Sequence, residues 1–139
     1  MSLHVLDTDV ISLFQHGHPA VTAAVQRHPL SDIAITVLTV EEQLSGWYAE
    51  LRNAKKPAAL AAVYQRMALT VRFLGHLPIL PLTEPAINPY EDLQRLKLKV
   101  KKMDLRIAAV VLEHGAVLVT RNTRDFSRIR GLQIEDWSK

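Results

Sequence analysis

The sequence predicts an α/β sandwich, a parallel sheet of four to five short strands covered by helices on both faces. Three observations predict it. Short aliphatic and β-branched runs recur along the chain, segments of helical periodicity lie between them, and a cap residue or a Gly/Pro break marks the transitions. Runs that are apolar throughout, rather than alternating, belong to strands buried on both sides.

Residues 3–6 (LHVL) form the first such run, and Asp7 stands where a helix cap would follow. Residues 10–15 suit a short helix closed by Gly17 and Pro19, and residues 20–27 a second one. Residues 33–37 (IAITV) are β-branched enough for a buried strand. Thr39 and Glu42 have the spacing of a capping box, N-cap and N3, which would open a helix towards Arg52. Pro57 sits where the first turn of the next helix tolerates it, and alanines and leucines carry that helix to Leu74 and Gly75. Residues 77–82 make a weaker strand, because Pro78 and Pro81 donate no backbone hydrogen bond. Residues 91–100 are helical in pattern, with Leu93, Leu96 and Val100 on one face. Asp104 reads as the cap of a helix over 105–114, stopped by Gly115. Residues 116–119 (AVLV) are the clearest strand, 122–125 a turn, and 132–134 a last short strand.

At 139 residues, splitting the chain would leave halves too small for good cores. No linker, repeat or low-complexity stretch divides it, so residues 1–139 are expected to form a single domain. Cysteine is absent, which excludes disulfides, thiolate zinc sites and cysteine nucleophiles. The start carries no basic region followed by a long apolar stretch, so no signal peptide is expected. The most apolar later run, 107–120, is interrupted by Glu113, His114 and Gly115 and is too short to span a bilayer. A cytoplasmic protein with no membrane partner is the expectation.

Seventeen basic against 14 acidic residues leave a net charge of +3. Its distribution says more than its size. Basic residues gather at Arg52, Lys55 and Lys56, at Arg95, Lys97, Lys99, Lys101 and Lys102, and at Arg121, Arg124, Arg128 and Arg130, where a polyanion would be attracted. The alternative is a set of solvated helix faces and turns.

Acidic residues far apart in sequence share a predicted structural position. Asp7 follows the first strand, Glu42 and Asp104 sit in first helical turns, and Asp125, with Asn122, follows the strand at 116–119. Ligand sites of open parallel sheets lie beyond the carboxyl ends of the strands. Carboxylates converging there would repel one another, and a divalent cation would remove the conflict; all-oxygen ligands favour Mg2+ or Mn2+. Each residue also has a purely structural explanation, as strand-end cap, capping-box partner, N-cap or turn former. Only the joint arrangement points to a site. The six histidines show no HExxH or paired ligand spacing. Trp47 and Tyr48 suit packing or base stacking.

At these residues the chain resembles a known family. LDTDVIS at 6–12, the spacing of Glu42 to Gly46, Asp104-Leu-Arg-Ile-Ala-Ala and LVTRNTRDFSRIRGLQIEDW at 118–137 are similar to VapC-type PIN domains, toxins of VapBC toxin–antitoxin pairs. The resemblance implies a PIN-like three-layer α/β/α sandwich and an Mg2+- or Mn2+-dependent endoribonuclease cleaving RNA. It also implies inhibition by a cognate VapB-type antitoxin and a homodimeric state. Asp7, Glu42 and Asp104 match the family's first three metal-binding acids. Where many members carry a fourth acid this chain has Asn122, and the nearest carboxylate is Asp125. Thr120 matches a hydroxyl that orients a ligand or water, and Trp137 a terminal anchor. Arg121 and Arg124, flanking Asn122, are the expected RNA contacts. Two rival readings remain: a PIN fold that binds RNA or a partner without cleaving, and an aspartyl-nucleophile phosphatase of the haloacid-dehalogenase type, whose D-x-D motif Asp7-Thr-Asp9 resembles.

Overall fold

A computed structural model describes residues 2–139. Five strands pair in parallel in the order β3-β2-β1-β4-β5: β1 (His4–Leu6), β2 (Ile33–Thr36), β3 (Ile79–Leu80), β4 (Val117–Val119) and β5 (Gln133–Glu135). The register sets His4 against both Ile33 and Val117. The chain leaves β1 for β2 on one side and later returns to β4 on the other, so the order reverses at β1. A crevice opens at such a switch point, beyond the strand ends.

Alternate residues of a strand face opposite sides, and two cores form accordingly. Val5 and Leu118 pack into one with α5 (Glu84–Arg95) and α6 (Lys102–Glu113). Leu6, Ile33, Ile35 and Val119 pack into the other with α1 (Thr8–Gln15) and α2 (Pro19–Gln26). The helical pair α3 (Val37–Asn53) and α4 (Pro57–Leu74) completes the cover. Leu118 has no exposed surface. Leu118→Ala is therefore expected to cost about 2–5 kcal/mol of stability, measured by denaturant unfolding.

Several expected boundaries move. The cap of α3 is Thr36, whose hydroxyl accepts the Thr39 N–H at 3.3 Å, so Thr39 lies inside the helix and no capping box forms. The N-cap of α6 is Lys101, which makes no side-chain capping bond, and Asp104 sits in the first turn. The helix expected over 91–100 instead covers Glu84–Arg95, with Pro89 inside it. Lys97 and Lys99 then adopt left-handed backbone, φ 51° and 61°. The lysines of 97–101 therefore lie on a loop and are not spread around a helix. Asn122 caps a one-turn helix, α7 (Thr123–Phe126), where a turn was expected. Trp137 is buried, stacks on His28 and donates through Nε1 to Glu135, which pins the tail to the sheet edge.

Candidate metal centre

Asp7 leaves β1 with its N–H still bonded to the Val119 carbonyl, at 3.0 Å, and its Oδ1 accepts the Val10 N–H at 2.9 Å. One carboxylate oxygen thus caps α1, and the whole side chain is held at the switch point. Thr36 ends β2 and starts α3, which brings Thr39 and Glu42, three residues apart on one helical face, over the start of α1. Thr8 Oγ1 donates to Glu42 Oε1 and also touches Thr39 Oγ1 at 3.0 Å. The capping explanations for Glu42 and Asp104 are thereby removed, since neither side chain caps its helix.

A cavity of about 170 Å3 collects these groups. Asp7, Glu42, Asp104 and Asn122 line it together with Thr8 and Asp9, and Ile107 and Phe126 supply apolar wall. A groove of about 290 Å3 adjoins it through Thr8 and Glu42 and runs past Gly46 to Trp47 and Glu50. Among the described residues, no three acidic or histidine side chains close into a finished metal cage. The carboxylates border a shared space.

Their electrostatics fit that space. Burial pushes the Asp7 carboxyl up to about 6, against Thr120 and the Val10 N–H, which favour the charge; Asp9 and Asp104 push it further up. Asp104 is raised by burial first, then by Glu42. A divalent cation would offset both causes, and hard oxygen donors of this kind suit Mg2+ or Mn2+. The same shift carries a pH dependence. The folded protein binds the Asp7 proton more tightly than the unfolded chain, so its contribution is full below about 4 and lost as pH rises through about 6. In chelator, wild type is expected to lose roughly 2 kcal/mol more than Asp7→Asn between pH 4 and 7. Urea unfolding at pH 4 and 7 measures the difference; equal losses would contradict the shift.

The remaining expected site residues are distributed differently. Asp125 does not line the cavity: Oδ1 accepts Arg128 Nη1 and Oδ2 accepts Asn122 Nδ2, each at 3.1 Å. It stands behind Asn122 and fixes its amide. Thr120 is fully buried, and its hydroxyl accepts the Asn122 N–H at 2.9 Å and bonds Asp7. Its hydroxyl links these two residues from inside the protein. Arg121 donates through Nε to Asp9 at 2.7 Å and is half-exposed, while Arg124 is exposed. Sequence reasoning missed Thr8, Asp9 and Thr39 as members of the site. Thr8 and Asp9 lie inside the LDTDVIS motif, which was the available signal.

Comparison with known proteins decides the family. The PIN domain family matches residues 4–132. The chain belongs to the PIN domain family. Within it, the chain is 40% identical to Ribonuclease VapC1 of Rickettsia felis, across 94% of this chain and 92% of that protein. Two solved structures share the fold. VapBC from Salmonella typhimurium, solved bound to DNA, superposes with a TM-score of 0.74 at 26% identity, covering 99% of both chains. VapBC-1 from nontypeable Haemophilus influenzae gives 0.75 at 22% identity, again over 99% of both. The three-layer PIN sandwich and the VapC type read from the motifs are confirmed. The haloacid-dehalogenase reading falls with it. Among the described residues, no helix of this PIN domain is long and apolar enough to cross a membrane.

Proposed function

We propose that this PIN domain is an endoribonuclease that cuts RNA at the carboxylate cavity with Mg2+ or Mn2+. It acts as the toxin of a toxin–antitoxin pair, forms a homodimer and is silenced by a VapB-type antitoxin. The observation that carries the reading is the convergence of Asp7, Glu42 and Asp104, from three separate elements, on one cavity at the switch point. The names of its relatives, Ribonuclease VapC1 among them, support the same activity.

Asp7, Glu42 and Asp104 would hold the cation, with Asn122 adding a neutral oxygen. When bound, such an ion activates water and offsets charge on the phosphodiester during in-line displacement. The protein's own groups do the rest. Asp125 and Thr120 hold Asn122 and Asp7 in place. Lys101, close enough to stabilise the Asp104 charge, adds positive potential at the cavity edge. Arg121, held by Asp9, and Arg124 receive RNA phosphates beside it. An antitoxin arginine entering the cavity would substitute for the cation's charge and block the site. A circular single-stranded RNA tests the proposal: the purified chain should convert it to linear product, which only internal cleavage can do. Circles that survive with Mg2+ or Mn2+ present would refute it.

A further inference from the structure

Two threonines outside the acidic set are joined to Glu42 by their hydroxyls. Thr8 Oγ1 donates to Glu42 Oε1, and Thr8 Oγ1 and Thr39 Oγ1 lie 3.0 Å apart. Proton counting fixes the direction of the second bond. An ionised carboxylate only accepts, and a threonine hydroxyl has one proton to give. Thr8 gives its proton to Glu42, so Thr39 must be the donor to Thr8. Thr39 has no exposed surface, so water cannot take over its part. Its own N–H is bonded to Thr36, the cap of α3, which anchors the donor end to the start of the helix. Thr8 in turn follows Asp7 and opens α1. The hydroxyls therefore tie the helix that carries Glu42 to the helix that Asp7 caps.

We propose that Thr39 and Thr8 are positioning residues for Glu42, a relay in which Thr39 donates to Thr8 and Thr8 donates to Glu42 Oε1. Among the described residues Oε2 accepts no hydrogen bond, and it is the oxygen left for a divalent cation. A glutamate side chain has several rotatable bonds, and binding an ion through a free one would require ordering them. The relay orders them beforehand, as outer-shell hydrogen bonds to ligating carboxylates do. This inference rests on the metal-centre reading.

Calorimetric titration of Mn2+ into the metal-free full chain separates the two. Thr39→Val keeps the β-branch and removes the donor, and is expected to weaken Mn2+ binding about tenfold. Thr39→Ser keeps the donor and should restore binding to within about twofold, a rescue that packing alone would not produce. In a Glu42→Ala background, which removes the acceptor itself, the Thr39→Val effect should disappear. Thr8→Val, at a half-buried position outside the hydrophobic cores, reports on the same relay if Thr39→Val fails to fold. Wild type that binds Mn2+ while the valine variants bind equally well overturns the relay alone. An undiminished effect of Thr39→Val in the Glu42→Ala background overturns it too. Wild type that binds no Mn2+ overturns the metal-centre reading as well.

Discussion

Replacing Asp104 by Asn is expected to lower RNA cleavage by about 10^2- to 10^3-fold while leaving the fold in place. Asp104 lines the cavity with Glu42 and feels its charge. It takes no part in capping, because α6 starts at Lys102 with Lys101 as N-cap. Asparagine keeps the shape and one oxygen but removes the charge that a divalent cation requires. The expected signature is native circular dichroism and an unchanged or raised melting temperature beside a collapsed cleavage rate. A stability gain is reasonable, since burial already penalises the charged form in the metal-free protein. An unfolded Asp104→Asn protein would return the residue to a structural role. Asp7→Asn should behave alike, because its amide oxygen still accepts the Val10 N–H.

The strands and most helices were legible because apolar runs and glycine or proline breaks report burial and chain reversal directly. Caps were less legible. Thr36 and Thr39 stand three residues apart, and β-branched Val37 extends the look of the strand, so the later threonine fits the capping-box spacing as well as the true cap does. That misplacement had a consequence: it gave Glu42 a structural duty it does not have. The start of α5 was hidden by Pro85 and Pro89, while Leu96 and Val100 happened to continue the helical spacing beyond its end. No glycine marks the left-handed turn at Lys97 and Lys99.

The acidic set was legible only as shared strand-end and helix-start positions, and Asp7, Glu42 and Asp104 do border one cavity. Its supporting contacts were not. Asp9 and Arg121 pair across 112 positions, and Thr8 and Thr39 across 31, distances over which no local pattern carries information. Asp125 looked like the missing fourth acid because of its place in the sequence. Its pairing with Arg128 and Asn122 depends on the one-turn helix α7, which a turn-forming composition does not distinguish from a turn.

Removing divalent cations is expected to have the other large effect. Four carboxylates, Asp7, Asp9, Glu42 and Asp104, border the cavity with Asn122, and none of the residues lining it carries a positive side chain; Lys101 adds potential only at its edge. Arg121, the nearest basic partner of a lining acid, is engaged by Asp9. Without an ion, phosphate oxygens approaching Asp7, Glu42 and Asp104 would meet net repulsion, and water would lack activation. The deciding measurement is cleavage of a circular RNA by the purified protein in EDTA, followed by dialysis and stepwise return of Mg2+ or Mn2+. The account predicts no cleavage in chelator and restored linearisation with either ion, and no restoration for Asp104→Asn. Full cleavage in EDTA, with Asp104→Asn equally active, would contradict it.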